Sequence, residues 1–177
     1  QRGHGHGRHG WQTTEAQQAE RVVSGRYPDQ LPTEPNGLPR ARSSRFSSPE
    51  AEAEALGRGR RALEHDLKAG TVEHHTDPTT GARTYFDPAT GEPIRHKTVV
   101  PTNRPDGYGT SQVVRRHPAP NDSFAYDAAG KRVAVPSSTP LPKALVVHEY
   151  IASTGEWRTV THYPEAARLP NNQLPLR

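Results

Sequence analysis

Histidines are the residues with the most obvious capacity for chemistry in this chain of 177 residues. His4, His6 and His9 alternate with glycine near the beginning, which is typical of a flexible tract that binds metal ions. No cysteine and no fixed ligand spacing accompany them, so the sequence predicts no metal site there. His74 and His75 are adjacent in a predicted strand and face opposite sides of it, which keeps them from sharing one ion.

A second group of polar side chains lies on a predicted β-hairpin near the carboxyl end. Glu149, Arg158 and His162 are the residue types that act as base, phosphate ligand and acid in the cleavage of RNA. The segment formed by His148, Glu149 and Tyr150 resembles part of the active-site strand of the guanyl-specific ribonucleases. A secreted ribonuclease-type toxin is therefore one alternative function, although structural cross-strand pairing explains the same residues.

The elements that would position these residues must form from a composition with few large apolar side chains. Leu, Ile, Val and Phe together make up 27 of the 177 residues, about 15%, beside 18 prolines and 15 glycines. This share lies below the roughly 20% typical of a chain that forms its own core. No cysteine is present, so disulfides cannot compensate. The composition therefore predicts a chain that is ordered by the surfaces of partner subunits.

The charge excess is small, with 23 basic and 19 acidic residues and a net charge of +4. The densest basic cluster comprises Arg40, Arg42 and Arg45. A nucleic-acid-binding surface is usually a larger basic patch, so an organellar ribosomal protein with RNA-contacting arms is an alternative and not the first choice. No apolar run approaches about 18 residues, and no transmembrane span is predicted.

The clearest single element is a helix predicted over residues 49–69. Ser48 is a suitable N-cap, Pro49 fits the first turn, and Gly70 ends the helix. Leucines form one narrow stripe on a helix that is otherwise largely charged. We therefore expect this helix to dock on a surface along that stripe.

Two near-identical turns follow the helix and predict a three-stranded meander. Residues 77–81 read Asp-Pro-Thr-Thr-Gly, and residues 87–91 read Asp-Pro-Ala-Thr-Gly. Asp can bond to its own turn backbone, Pro presets the turn, and Gly supplies the positive φ at its end. Related turns at 127–130 and 153–155 predict β-hairpins over residues 123–163.

A set of residues in the meander and the segment after it follows a recognisable spacing. Its members are Gly70, Thr71, Asp77, Gly81, Tyr85, Phe86, His96, Lys97, Val99, Tyr108, Ser111, Gln112 and Val113. In this spacing, residues 70–113 resemble a small accessory subunit of mitochondrial complex I that is related to the mimitin assembly factor. That family has Asn where this chain has Ala82. The resemblance implies a non-catalytic role inside a respiratory-chain assembly.

The predicted fold class is α+β with little regular structure, consisting of one main helix, short antiparallel β-hairpins or a meander, and long extended Pro-rich arms. The predicted divisions are an extended N-terminal arm over 1–47, the helix and meander over 48–100, a Pro-rich strap over 101–122, β-hairpins over 123–163, and an extended tail over 164–177.

The favoured function is that of a non-catalytic structural accessory subunit in a large mitochondrial assembly, most simply a respiratory-chain complex. Other protein subunits are its expected partners, and no catalytic residue, cofactor or metal is predicted. The side chains expected to dock on these partners are Leu56, Leu63, Leu67, Tyr85, Phe86, Tyr108 and Trp157. The chain begins at Gln1 and contains no methionine, which predicts a removed transit peptide and a location in the matrix or on the inner membrane.

Overall fold

A computed structural model describes residues 5–28, 39–118, 120–121 and 123–165. Over these residues the fold is mixed α+β, with three helices and several small antiparallel sheets. The helices are α1 (Gly5–His9), α2 (Glu15–Ser24) and α3 (Pro49–Ala69). The strands are β1 (Arg42–Phe46), β2 (His75–Thr76), β3 (Arg83–Thr84), β4 (Arg95–Pro101), β5 (Gly109–Val114), β6 (Ala134–Pro136), β7 (Lys143–Ile151) and β8 (Glu156–Glu165). The predicted α+β class is confirmed.

Helix α3 begins and ends at the residues that the sequence predicts. The Ser48 hydroxyl accepts a hydrogen bond from the Ala51 N–H at 3.1 Å, and Pro49 lies in the first turn. Gly70 adopts the left-handed conformation at φ 70°, where a side chain would be strained, and its N–H donates to Leu67 at 3.1 Å. The local capping residues are therefore sufficient to predict this element.

The sheet that carries most of the long pairing has the order β4-β7-β8 and is antiparallel throughout. Val146 at its centre pairs with Thr98 on one side and His162 on the other. Helix α3 packs on this face, since a Cβ on Gly59 would lie 2.7 Å from the Cβ of Val146. The predicted β7–β8 hairpin is confirmed, with a register shift between Val147 and His148.

A second sheet, in the order β1-β5-β6, corrects the predicted division into arm and strap. The sequence predicts an extended arm over 1–47 and a Pro-rich strap over 101–122, but β1 pairs with β5 from Arg42 with Val113 to Phe46 with Gly109. A Cβ on Gly109 would collide with the Arg45 carbonyl, so glycine permits this close approach. The strands are rich in Ser, Gln and Arg, so they lack the alternation of apolar and polar residues by which strands are predicted.

The meander predicted after α3 is also rearranged. Strands β2 and β3 form a two-stranded ladder, whereas β4 pairs with β7 and reaches the β3 side only through a bridge between Phe86 and Pro93. The two Asp-Pro turns form as predicted. The Asp77 carboxylate accepts from the Thr79 N–H at 2.7 Å, and that of Asp87 accepts from the Ala89 N–H at 2.8 Å. Local turn chemistry was predictable, but the partner of β4 was not.

The apolar core lies where α3, β1, β4, β5 and β7 meet. Its members are Phe46, Ala51, Ala55, Val100, Tyr108, Ala144 and Val146, with Leu56 packed against them. The rings of Phe46 and Tyr108 meet edge to face at 6.1 Å, and the Tyr108 hydroxyl donates to the Pro101 carbonyl at 2.9 Å. Alanine and glycine allow close approach of helix and strands, so the core forms with few large side chains.

Parts of the predicted arms lie outside the described residues. These are residues 1–4, residues 29–38 and residues 166–177. The first two residues of the tail predicted over 164–177 are the end of β8. Among the helices that the structure describes, none has the length and apolar character needed to cross a membrane.

Candidate functional site

A pocket of about 500 Å³ lies between α1, α2, β1 and the end of β8. The residues that line this arginine pocket are Arg8, His9, Arg21, Arg40, Arg42, Ser44, Thr161, Tyr163, Pro164 and Glu165. Four arginines and one glutamate are among these residues. Guanidinium groups bind phosphate and carboxylate groups through paired N–H donors, so the pocket is suited to an anionic ligand.

Two short helices bring the amino-terminal residues to this pocket. Helix α2 begins with a capping box, in which the Thr14 hydroxyl accepts from the Gln17 N–H at 3.2 Å and the Gln17 amide accepts from the Thr14 N–H at 2.8 Å. Arg21 lies on the buried side of this helix. His9 is the last residue of α1 and is only 8% exposed. The pocket wall is therefore a built part of the fold.

The hydrogen bonds of His9 determine which ring nitrogen carries the proton. Its Nε2 lies 2.9 Å from Nη1 of Arg21, and its Nδ1 lies 2.6 Å from the Ser44 carbonyl oxygen. A guanidinium only donates and a carbonyl only accepts, so Nδ1 holds the proton and Nε2 accepts. Burial, and next the charge of Arg21, lowers the pKa of His9 to about 3. His9 is therefore a neutral imidazole whose unprotonated nitrogen lies beside Arg21.

Strand β8 contributes two residues with hydroxyl groups to the lining of the pocket. Thr161 and Tyr163 both line it, because alternate residues of a strand share one face. The Tyr163 ring lies 5.1 Å from the His9 ring, centroid to centroid. Burial, and next the carboxylate of Glu165, raises the pKa of Tyr163. The phenol thus keeps its proton and can donate a hydrogen bond.

His162, between Thr161 and Tyr163, faces the other way and belongs to a separate cluster around Glu52 of α3. The Glu52 carboxylate, whose residue is 4% exposed, lies 2.6 Å from Nε2 of His162 and 2.9 Å from Nδ1 of His6. It also accepts from the Trp11 N–H at 3.2 Å. Burial would raise the pKa of Glu52, but the hydrogen bonds from His162, His6 and Trp11 lower it. Glu52 therefore ties the segment around α1 to α3 and β8.

The structure separates the three residues that the sequence grouped by analogy with ribonucleases. The Glu149 carboxylate lies 3.0 Å from Nε of Arg95 and 3.6 Å from Nη2 of Arg158, on the sheet face away from α3. His162 is on the α3 face, paired with Glu52. His148 is also buried, and burial followed by the charge of His96 lowers its pKa to about 4. Glu149, Arg158 and His162 therefore do not form one site.

The predicted flexible histidine tract is instead built into the fold where it is described. His6 bonds to Glu52 and His9 to Ser44, while His4 lies outside the described residues. Within the described ranges, no group of three or more His, Asp or Glu side chains is arranged to hold a metal ion.

The side chains predicted to dock on a partner occupy several environments. Leu63 and Tyr108 are fully buried within this chain, so neither presents its side chain to a partner. Leu56 packs against the core. The others are partly buried; they are Leu67, Tyr85, Phe86 and Trp157. Tyr85 and Trp157 contact each other, with ring centroids 5.3 Å apart.

Sequence reasoning missed His9, Arg21, Thr161 and Tyr163 as parts of one site. It identified Arg40 and Arg42 only as a basic cluster. These residues come from the amino-terminal segment of α1, α2 and β1 and from the distant β8, and no spacing within one element joins them. The detectable signal was the Thr-x-Tyr alternation at the end of β8, which places two hydroxyls on one face.

Comparison of the chain with protein-family models, with curated proteins and with solved structures finds no match.

Proposed function

We propose that this chain cleaves RNA in the arginine pocket, with His9 as the general base. One observation carries the proposal: a neutral, buried histidine lines a pocket with four arginines, accepts from Arg21 at its Nε2, and lies against the ring of Tyr163, whose phenol keeps its proton. A perturbed titratable group in a concave, cationic pocket is a common feature of active sites. This departs from the non-catalytic role favoured on sequence alone and takes up its ribonuclease alternative at a different set of residues.

The proposed reaction is an internal transfer of the phosphoryl group. Nε2 of His9 takes the proton of the ribose 2′-hydroxyl, and the 2′-oxygen forms a bond to phosphorus. The bond from phosphorus to the 5′-oxygen breaks, and the Tyr163 hydroxyl gives that oxygen its proton. The products are a 2′,3′-cyclic phosphate and a 5′-hydroxyl. Solvent then carries the proton from the His9 imidazolium to the Tyr163 phenolate, which restores both groups.

The arginines have two roles in this proposal. They bind the phosphodiester, and they stabilise the extra negative charge that develops on its oxygens during the transfer. A bound phosphate also draws the guanidinium of Arg21 away from Nε2 of His9. Its negative charge raises the pKa of His9 from about 3 toward the range useful to a base at neutral pH.

The test is cleavage of a labelled RNA by the wild-type chain and by His9→Gln. We expect a 2′,3′-cyclic phosphate product, and a rate about 10²- to 10⁴-fold lower for His9→Gln. The same oligonucleotide made of DNA should stay intact because it lacks the 2′-hydroxyl. His65→Gln is the matched control, since its side chain is 81% exposed and outside the pocket. Cleavage that is equal in His9→Gln and wild type, or no cleavage by either, overturns the proposal.

The accessory-subunit function, its extended Pro-rich arms and its mitochondrial location stay predictions from sequence. Two of the side chains predicted to dock on partner subunits, Leu63 and Tyr108, are buried inside this chain. The ribosomal alternative shares RNA as a ligand with the pocket proposal, but it predicts binding without cleavage. The cleavage assay therefore separates these two.

A further inference from the structure

A basic and aromatic patch extends the second sheet beyond β5. This hairpin patch consists of Arg116, Phe124, Tyr126 and Arg132, and two isolated bridges join its members, Arg116 to Phe124 and Tyr126 to Arg132. Backbone hydrogen bonds hold it in place, with the Arg115 N–H donating to Val133 at 2.7 Å. The patch is therefore part of a paired β-structure.

The side chains of the patch alternate between cations and rings. The guanidinium carbons of Arg116 and Arg132 lie 5.0 and 4.6 Å from the centre of the Phe124 ring. Tyr126 is 57% exposed, and among large hydrophobic side chains in the described ranges only Trp11 and Val99 share such exposure. An exposed ring beside arginines is the arrangement that binds single-stranded nucleic acid, by stacking on bases and by attraction to phosphates.

The patch is continuous with the arginine pocket. Nη1 of Arg132 donates to the Pro39 carbonyl at 3.3 Å, and the next residue, Arg40, lines the pocket. Strand β1, which contributes Arg42 to the pocket, pairs with β5 at the base of the same hairpin. Residues 115–132 carry four Lys or Arg and two Asp, so the segment is net positive. Arginines therefore outnumber carboxylates both in the lining of the pocket and in the hairpin segment.

We propose that the hairpin patch binds single-stranded RNA next to the nucleotide held in the arginine pocket. A flanking base stacks on Tyr126, and flanking phosphates lie near Arg116 and Arg132. The choice of RNA as the occupant rests on the proposed function, whereas the binding surface itself rests on the patch. The substrate class then becomes an extended single strand, longer than a dinucleotide.

Binding is measured by fluorescence anisotropy with a labelled 2′-O-methyl RNA of about eight nucleotides, a length within the range that single-strand-binding surfaces cover. This probe cannot be cleaved through a 2′-hydroxyl. Tyr126→Ala should raise its Kd about 5- to 100-fold, the effect of losing one stacked base. Tyr126→Phe keeps the ring and should bind like wild type. Val99→Ala, at a residue that is 48% exposed on β4, is the control for loss of an exposed apolar side chain.

Cleavage of a dinucleotide separates this inference from the proposed function. Tyr126→Ala should cleave the dinucleotide at the wild-type rate and the longer RNA more slowly. The proposed RNA binding by the hairpin patch is wrong if Tyr126→Ala binds the longer probe as wild type does, or if it slows cleavage of both substrates equally. If wild type cleaves nothing but binding of the probe depends on the Tyr126 ring, the proposed function fails and the patch stands.

Discussion

His9 and His162 are both buried, yet the charged groups that they contact have opposite signs. Nε2 of His9 faces the guanidinium of Arg21 at 2.9 Å, and Nε2 of His162 faces the carboxylate of Glu52 at 2.6 Å. A guanidinium can only donate, so His9 must accept there. An ionised carboxylate can only accept, so His162 must donate. Nε2 of the same side-chain type is thus a hydrogen-bond acceptor in one place and a hydrogen-bond donor in the other.

The difference arises because successive residues of β8 face opposite sides of the sheet. Thr161 and Tyr163 face the arginine pocket, while His162 between them faces α3. The charge next to each histidine then determines its role. Glu52 connects the two regions, because it holds His6 and the Trp11 backbone, and the residues between them include Arg8 and His9 of the pocket.

The largest expected effect is that His162→Ala mainly lowers stability, whereas His9→Ala mainly lowers activity. His162→Ala leaves the buried Glu52 carboxylate with one partner fewer and should lower the free energy of unfolding by about 3–5 kcal/mol. His9→Ala removes a hydrogen bond from the Ser44 carbonyl and should cost about 1–2 kcal/mol, since no buried carboxylate loses a partner.

Urea unfolding measures the first quantity and RNA cleavage the second. The folded fraction of His162→Ala should retain cleavage, whereas folded His9→Ala should lose it. Equal losses of stability in the two variants would remove the distinction drawn between the two histidines.

A smaller effect should follow from pH. Burial holds the pKa of His9 at about 3 and that of His148 at about 4, while both titrate near 6.5 when unfolded. Between these values the unfolded chain binds more protons, so stability is complete above about pH 6.5 and is lost as the pH falls. Each of the two histidines should lower the free energy of unfolding by about 2 kcal/mol at pH 5 relative to neutral pH.

Thermal or urea unfolding between pH 7 and pH 5 checks this. In His9→Gln and in His148→Gln the dependence on pH should be weaker than in wild type. An unchanged pH dependence in His9→Gln would contradict the view that His9 is held neutral by its surroundings.

The smallest effect concerns the packing of α3 on the face that carries His162. A Cβ on Gly59 would lie 2.7 Å from Val146, the cross-strand neighbour of His162, so Gly59→Ala should destabilise by about 1–3 kcal/mol. Gly57 is the matched control in the same helix. Its Cβ would meet only the Arg61 side chain at 3.5 Å, and Gly57→Ala should stabilise by about 0.5–1 kcal/mol. Unfolding curves in urea measure both, and a stabilising Gly59→Ala would show that this face is loosely packed.

The elements that could be predicted are those whose signals are local. Ser48 and Gly70 bound α3, and the turn after Ile151 joins β7 to β8. The pairing of β1 with β5 could not be predicted, because it joins polar segments that are separated by α3 and three further strands. For the same reason β4 was assigned to a meander when its partner is β7.

Some residues of the candidate site were identified from sequence, but their grouping into one site was not. The sequence singled out histidines, an arginine cluster and the β8 strand, but it grouped Glu149, Arg158 and His162. Strict alternation along β8 would put Arg158 and His162 on one face, but the register shift between Val147 and His148 places His162 on the face opposite to Arg158 and its partner Glu149. A search for chemistry along one hairpin cannot detect a site that four separate elements assemble.

By itself the amino-acid sequence determined where α3 begins and ends and where the Asp-Pro turns form. These features depend on capping hydrogen bonds and turn conformations, which act over a few residues. Only the tertiary structure decided that His9 meets Arg21 and that His162 meets Glu52. A histidine's protonation depends on the burial and charges within a few ångströms, and those neighbours come from distant parts of the chain.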